Sequence, residues 1–235
     1  MLVTVNELIR AISESDYNVK HDLMVEMILE SIATSKDNKI MNDLMFDIMR
    51  RNAKLNKELY EQMKEVKRLS ITDQLTGLYN RRKFIEALQI EIDRKSRYER
   101  PFSIVMFDID HFKSVNDTYG HDVGDFVLKE LSSIVSERTR QSDVFARWGG
   151  EEFMILLTES SIEDAKEKAE VIRALIEGHN FSPVPQVTCS FGVINTDHND
   201  HSTIDILTKL VDEALYYAKT SGRNKVVSYH EMINM

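Results

Sequence analysis

The stretch VFARWGGEEFMILL, residues 144–157, decides the fold class, because two apolar runs flank two glycines and two glutamates. Runs of β-branched and aromatic residues around a glycine turn are typical of a β-hairpin. A hairpin forces at least one antiparallel pair into the sheet. Glu151 and Glu152 add two carboxylates where a short polar turn would suffice, so the tip is also a candidate functional site.

Helix-like and strand-like segments alternate around this hairpin. Helical spacing covers residues 83–99, 123–139, 163–178 and 203–222, and apolar strand-like runs cover residues 103–110, 186–196 and 225–230. With the hairpin, this order predicts an α+β fold with a mixed, largely antiparallel sheet and surrounding helices, and it argues against a Rossmann fold.

Composition narrows the classes of partner. The 235 residues are 42% hydrophobic, which is enough for a sizeable core, and carry a net charge of −9. An acidic chain does not attract nucleic acid or an anionic membrane surface, so we expect neither as a partner. The N-terminus resembles no secretion signal and no window approaches about eighteen apolar residues, which predicts a cytoplasmic location. The single cysteine, Cys189, excludes a disulfide framework within the chain.

The region before residue 70 is predicted to be helical throughout. From Met41, nine positions recur in alternating steps of four and three, and seven of them are apolar. They are Met41, Met45, Ile48, Asn52, Leu55, Leu59, Gln62, Val66 and Leu69. This heptad pattern predicts a dimerising coiled coil over about 41–69, although one amphipathic helix packed on its own domain fits the pattern as well. We therefore divide the chain into a helical region, 1–69, and a second domain, 70–235.

A second acidic motif lies in MFDIDHFKSVNDTYGHDVGD, residues 106–125. Asp108 and Asp110 end an apolar strand, and side chains two residues apart share a face. Paired buried carboxylates repel each other unless a hard cation such as Mg²⁺ lies between them. The alternative for Asp110 is a cap on the following helix. Glu151 and Glu152 would complete the acidic set from the hairpin.

Residues 70–230 resemble the diguanylate cyclase (GGDEF) family through DQLTGLYNRR, FDIDHFKSVNDTYGHDVGD, RWGGEEF, SFGV and DEALYYAKTSGRNKV, in the order and at the spacing of that family. The resemblance implies a fold similar to the palm of polymerases and adenylyl cyclases. It also implies condensation of two GTP molecules into cyclic di-GMP by a dimer, with inhibition by the product.

The same resemblance implies the roles of individual residues. Asp108, the carbonyl of Ile109, Glu151 and Glu152 would hold Mg²⁺, with Mn²⁺ as an alternative. Glu151 would also accept a proton, and Lys113 would stabilise the transition state, so these two are the candidate catalytic residues.

Substrate contacts are implied at both ends of GTP. Backbone amides from His111 and Phe112 to Lys113, together with the side chains of Lys219 and Arg223, would bind the phosphates. Asn116 and Asp125 would bind guanine, because a carboxylate accepts from both N1 and N2 of guanine whereas adenine presents an acceptor at N1. His121 matches a further position in the substrate pocket.

Arg140 and Asp143 form an RxxD motif upstream of the hairpin, which matches the product-inhibition site of the family. A second arginine often completes that site, but the corresponding position is Val171, with Arg173 nearby. The main hypothesis is an active, dimeric diguanylate cyclase. The alternatives are a catalytically silent cyclic di-GMP receptor or interaction module, and a cyclase with another nucleotide preference. The sequence leaves open whether an upstream signalling protein acts on the N-terminal helices.

Overall fold

The computed structural model describes residues 38–197 and 203–233, and the chain divides into two units between Glu65 and Val66. The helical spacing predicted for residues 1–36 lies outside the described residues. Helix α1, Asn38–Ile71, is a single helix of 34 residues. None of the described helices is both long and apolar enough to cross a membrane.

Most of the heptad positions of α1 whose side chains the structure describes are exposed in the single chain. Leu55, Leu59 and Val66 have 48%, 51% and 66% of their surface accessible, whereas Met45 and Ile48 are half-buried. An apolar row in contact with water is unfavourable, by about 25 cal/mol for each Å² that a partner would cover. Burial within one chain therefore does not explain the apolar seam around Leu55 and Leu59, and the coiled coil stays a prediction.

The second unit alternates strands and helices around one six-stranded sheet. Its elements are β1 (Tyr79–Asn80), α2 (Arg81–Tyr98), β2 (Ser103–Ile109), α3 (Phe112–Tyr119), α4 (His121–Ser136), β3 (Val144–Gly149), β4 (Glu152–Leu157), α5 (Ile162–Gly178), β5 (Cys189–Asn195), α6 (Ile204–Thr220), β6 (Val226–Ser228) and α7 (Tyr229–Met232). The strand order is β1-β3-β4-β2-β5-β6. The pairs β1–β3 and β5–β6 are parallel and the three central pairs are antiparallel, which confirms the predicted mixed α+β fold.

Strand β2 lies at the centre of the sheet, and all seven of its residues are buried. Because side chains alternate along a strand, Val105 and Phe107 enter the core under α4 and α5, whereas Ile104 and Met106 enter the core under α2 and α6. The Phe107 ring stacks on Phe153 of β4 and on Phe191 of β5, with centroids 5.2 and 4.8 Å apart. Because helices cover both faces of β2, the end of the strand is shielded from solvent, and Asp108 lies at that end.

Helix α6 approaches the sheet closely at Gly192 of β5. A Cβ atom at this position would lie 2.4 Å from the carbonyl oxygen of Val211 and 2.5 Å from the backbone nitrogen of Leu215. Only glycine allows two backbones to meet at this distance. The contact fixes α6 on the sheet and thereby sets the position of Lys219 in its last turn.

Two details differ from the sequence-based expectation. The two-residue strand β1 was not predicted, because a strand of this length has no detectable period. The predicted strand over residues 225–230 ends at Ser228, where the chain turns into α7. The Ser228 hydroxyl accepts a hydrogen bond from the Glu231 backbone N–H at 3.2 Å, so a helix cap ends the strand.

Candidate active site

The end of β2 meets the tip of the β3–β4 hairpin. Asp108 lies directly across the antiparallel ladder from Glu152, the first residue of β4. The Ile109 N–H donates to the Glu151 carbonyl at 3.4 Å, which closes the tip over the strand end. Three carboxylates predicted from segments more than forty residues apart are therefore neighbours. A Cβ atom at Gly149 or Gly150 would meet no atom within 4 Å, so there is open space beside them.

Asp108 has one cationic neighbour and two anionic ones. The Lys219 ammonium lies 2.9 Å from Asp108 Oδ2. The pKa of Asp108 is raised to about 6, mainly by burial, while Glu151 and Glu152 add to the rise and Lys219 opposes it. Lys219 therefore compensates the charge of this cluster only in part.

The pKa of Glu152 is also raised. Burial raises its pKa, and Asp212 and Glu151 add to the rise, whereas Lys219 and Arg81 oppose it. Burial and neighbouring carboxylates therefore outweigh the positive charge that Lys219 and Arg81 supply, so the cluster would gain from additional positive charge. A divalent cation would supply that charge.

The oxygen atoms at the end of β2 and at the hairpin tip are of the kind that binds Mg²⁺. Over residues 38–197 and 203–233, no three carboxylate, imidazole or thiolate side chains converge into a complete metal cage. Mg²⁺ does not require such a cage, because proteins commonly hold it through one or two carboxylates together with phosphate oxygens of a substrate. Asp108 and the hairpin glutamates, with the Ile109 carbonyl, fit this arrangement.

Asp110 has a different environment from Asp108. Its carboxylate accepts hydrogen bonds from the Ser190 hydroxyl at 2.7 Å, the Thr188 hydroxyl at 2.8 Å and the Asn224 N–H at 3.1 Å. The expected pairing of Asp110 with Asp108 around a cation is therefore replaced by neutral donors. The alternative of a helix cap is also wrong, because His111 occupies the N-cap of α3 and no side chain caps that helix.

His111 turns the chain from β2 into α3 with a left-handed backbone, φ 57°. Phe112 is buried in the core and anchors the start of the helix, whereas Lys113 is exposed. The first N–H groups of a helix have no partner within the helix and favour an anion. His111, Phe112 and Lys113 thus form the start of a helix, which is a geometry that suits an anion, directly after the end of β2.

Gly124 lets the Asn116 side chain approach the backbone of α4. A Cβ atom there would lie 1.9 Å from the Asn116 side-chain oxygen, so the Asn116 amide rests against the backbone of the residue that precedes Asp125 in the chain. Asn116 is half-buried and Asp125 is exposed. His121, the exposed first residue of α4, follows the turn at Gly120, which has φ 86°. All three polar side chains belong to the α3–α4 junction.

Lys219 and Arg223 lie at the end of α6. Arg223 is exposed in the turn that follows the helix, and its N–H donates to the Ala218 carbonyl at 3.0 Å. The turn also brings Asn224 to Asp110, as described above. The two predicted phosphate contacts are thus carried by one helix end next to β2.

The RxxD motif lies at a separate surface pocket of about 390 Å³. The Arg140 N–H donates to Asp143 at 3.0 Å, and Lys168 of α5 forms an ion pair with the same carboxylate. Arg138 and Val171 also line the pocket. Arg173, the nearest candidate for a second arginine, is not among the lining residues, because its guanidinium pairs with Glu170 and Glu177 on its own helix.

Sequence reasoning missed the contact that anchors the hairpin tip. The Arg147 guanidinium donates to both oxygens of Asp73, at 3.1 and 3.3 Å, and to the Gly150 carbonyl at 2.9 Å. Asp73 in turn accepts from Thr76, which orders the junction after α1. Each residue is part of a family motif in the sequence, but nothing in the spacing indicates that they touch.

Comparison with known proteins agrees with this geometry. Residues 70–225 match the family model described as diguanylate cyclase, GGDEF domain. The response regulator PleD of Caulobacter vibrioides is 41% identical over 164 residues, which cover 68% of this chain and 36% of PleD. The chain spans little more than a third of the length of the curated relatives it matches.

Two solved structures are similar over most of the chain. One contains the coiled coil and GGDEF domain of DgcB from Caulobacter crescentus in complex with c-di-GMP, with TM-score 0.73 and 26% identity, and the match covers 79% of this chain and 98% of that one. The other is the diguanylate cyclase SiaD in complex with its activator SiaC from Pseudomonas aeruginosa, with TM-score 0.65 and 33% identity over 90% of this chain and 84% of SiaD.

Proposed function

This chain belongs to the diguanylate cyclase, GGDEF domain family, and on that premise we propose that it condenses two GTP molecules into cyclic di-GMP and two pyrophosphates. The observation that carries the proposal is the meeting of Asp108 with Glu151 and Glu152, at a buried strand end where Lys219 offsets the negative charge only in part. Mg²⁺ bound there would lower the pKa of a 3′-hydroxyl and neutralise charge on the phosphates.

Residues of the α3–α4 junction would select the base. Asp125 is exposed and directly follows Gly124, whose backbone the Asn116 amide contacts, and this placement supports a joint role of the two side chains in binding one edge of a purine. The Asp125 carboxylate accepts from both N1 and N2 of guanine and would face an acceptor in adenine. We therefore expect GTP rather than ATP as the substrate.

The turn before α3 and the end of α6 would bind the phosphates. The free N–H groups at His111 to Lys113 and the cations of Lys219 and Arg223 would hold the triphosphate, and Lys113 would stabilise the charge that develops in the transition state. Glu151, at the hairpin tip, would accept the proton of the attacking 3′-hydroxyl. Each 3′-oxygen forms a bond to the α-phosphorus of the other GTP, and pyrophosphate leaves.

A symmetric product requires two active sites that face each other. One domain would bind one GTP, so the ring closes only when two copies bring their sites together. The exposed seam of α1 supports dimerisation through the N-terminal helices, as does the coiled coil in the solved structure of DgcB. To test it, we would replace Leu55 and Leu59 together by glutamate.

We expect this variant to be monomeric by solution mass and to lose cyclase activity. The matched control replaces Ala53 and Lys57 by glutamate, which keeps the spacing and the helix but lies off the seam. An unchanged dimer mass and unchanged activity in the Leu55 and Leu59 variant would remove the coiled coil from the proposal.

The activity itself is tested by incubating the purified chain with GTP and Mg²⁺ and identifying the products. Cyclic di-GMP and pyrophosphate should form in a 1:2 ratio, excess ATP should not compete, and Glu151→Gln should form neither product. A chain that binds cyclic di-GMP but never makes it would be a silent receptor, which is the alternative function.

Product inhibition at the RxxD pocket is the regulatory part of the proposal. Arg140, Arg138 and Lys168 offer three cations around Asp143, and Lys168 lies on the helix that carries the second arginine elsewhere in the family. We expect Arg140→Ala and Lys168→Met to need about tenfold more cyclic di-GMP for half inhibition. Lys166→Met, on the same helix but paired with Glu231, is the control. Equal inhibition of all four proteins would contradict this assignment.

A further inference from the structure

The turn after α6 holds Arg223 in an unusual backbone conformation. Gly222, Arg223 and Asn224 have φ angles of 117°, 60° and 45° in succession. A left-handed conformation is uncommon for residues other than glycine and persists where surrounding contacts determine it. The contacts that hold this turn therefore decide where the Arg223 side chain lies.

Asn224 is the residue through which the turn is held. Its N–H donates to Asp110 Oδ2 at 3.1 Å, which ties the turn to the end of β2. Its side-chain oxygen accepts from Arg173 Nη1 at 2.9 Å, and its side-chain nitrogen donates to Glu177 Oε1 at 2.7 Å. Both hydrogen-bonding ends of the amide are therefore bound to α5.

Arg173 and Glu177 form a closed ring with that amide. Arg173 Nη1 lies 2.7 Å from Glu177 Oε2, and the other side of the guanidinium contacts Glu170. Hydrogen bonds to Glu170 and Glu177 raise the pKa of Arg173, so it stays charged, and its side chain is 15% exposed. Hydrogen bonds from Arg173 and Asn224 lower the pKa of Glu177. A planar guanidinium can meet three partners at once, which an ammonium cannot do with the same geometry.

We infer that Arg173 is a positioning residue for the triphosphate, because it orients Asn224 and thereby the turn that presents Arg223. The inference rests on the proposed binding of GTP and deepens it. If Arg173 only stabilised α5, its loss would lower the melting temperature without distinguishing among nucleotides. If Arg173 is a positioning residue, its loss weakens the binding only of those ligands that carry the phosphates contacted by Arg223.

The test compares two ligands on the full chain with Mg²⁺ present. Binding of a non-hydrolysable GTP analogue and of GMP is measured by calorimetry for the wild type and for Arg173→Met. We expect the analogue to bind about tenfold more weakly, since a misplaced charged hydrogen bond costs about that much, while GMP binding changes by less than about twofold. KM for GTP should rise with the analogue affinity, and kcat should stay within about threefold.

Three further variants separate positioning from stability. Glu170→Gln removes an Arg173 partner on the helix but leaves the Asn224 contact, so it should bind both ligands as the wild type does. Asn224→Gly keeps a backbone suited to positive φ and removes the tether, so it should reproduce the selective loss. In an Arg223→Ala background, Arg173→Met should cause no additional loss, because the group that it positions is absent.

Equal losses for the analogue and GMP, an unchanged analogue affinity in Arg173→Met, or additive losses with Arg223→Ala would each overturn the inference. Absence of analogue binding by the wild type would overturn it as well. These binding measurements do not depend on catalysis. A wild-type chain that binds the analogue but forms no cyclic di-GMP would therefore refute the proposed function and leave the positioning role to be decided by the same variants.

Discussion

Asp108 and Asp110 lie two residues apart at the end of the same strand, and both are 7% exposed. Asp108 faces two glutamates and one lysine, and burial raises its pKa to about 6. Asp110 receives two hydroxyl groups and one backbone N–H. Equal burial therefore coexists with opposite electrostatic environments.

Under the proposed function, the difference separates a residue that serves the chemistry from one that serves the structure. A buried carboxylate is stable where donors point at it and unfavourable where other carboxylates surround it. The first arrangement fixes β5 and the turn that carries Arg223. Under the proposed function, a cation bound with the substrate would compensate the second arrangement, and such perturbed carboxylates are concentrated at active sites.

The largest expected effect is on activity at Asp108. Asp108→Asn keeps the shape of the side chain but removes a negative metal ligand, so cyclic di-GMP formation should fall about a thousandfold or more. Repulsion with the hairpin glutamates also falls, so the melting temperature should stay equal or rise. A product assay and a thermal scan on the same preparation check both. A variant that loses stability would show that Asp108, like Asp110, supports the fold.

The second prediction concerns stability at Asp110. Asp110→Asn places an amide nitrogen among groups that donate, and a buried donor without an acceptor costs about 1–3 kcal/mol, more where a charged group was bound. We expect the free energy of unfolding to fall by about 2–4 kcal/mol in urea titrations. The folded fraction should keep far more activity than Asp108→Asn. If Asp110→Asn lost more activity than Asp108→Asn, the contrast drawn between the two aspartates would be wrong.

The third prediction uses pH. Because the pKa of Asp108 is raised to about 6 from 3.8, the folded protein holds this proton to a higher pH than the unfolded chain does. Stability from this group is therefore present below about pH 4 and is lost as pH rises to about 6, by about 1–3 kcal/mol without metal.

The measurement for that prediction is the difference in unfolding free energy between the wild type and Asp108→Asn, taken across pH 4 to 7 with a chelator. The difference should shift in favour of the variant as pH rises. Mg²⁺ at pH 7.5 should stabilise the wild type more than the variant. A difference that does not depend on pH would show that the carboxyl is less perturbed than its surroundings suggest.

The smallest expected effect is the loss of one donor to Asp110. Thr188→Val keeps the side-chain shape and removes one hydroxyl, while the Asn224 N–H still reaches the same oxygen. We expect a loss of about 1 kcal/mol in the free energy of unfolding and unchanged specific activity. A loss as large as that of Asp110→Asn would mean that the hydroxyl, rather than the whole donor set, holds the carboxylate.

Much of the fold was predictable from local pattern. The hairpin, the central strand and the helices from α4 to α6 follow from apolar periodicity and from glycine, which act over neighbouring residues. The strand β1 and the helix α7 were missed, because two- and four-residue elements have no period. The apolar heptad pattern that includes Leu55 and Leu59 was visible in the sequence, but the surface that buries these side chains cannot be read from the pattern.

The candidate site divides in the same way. The residue types and order that match the family are readable along the chain, from Asp108 to the hairpin glutamates and on to Lys219. The contacts of Asp110, of Asp73 with Arg147, and of Arg173 with Asn224 were not readable. Each of these contacts joins positions that are 51 or more residues apart. In the sequence, each partner is a polar residue of a kind that is common on any protein surface.

By itself, the sequence determined the mixed α+β fold, the acidic residues of the site and the family, because these depend on residue type, period and spacing. Only the tertiary structure decided which acid faces other acids and which faces donors, and which arginine contacts the turn that carries Arg223. Neighbouring charges and hydrogen-bond donors are properties of the surroundings in space, and Asp108 and Asp110, which are equally buried, differ in both.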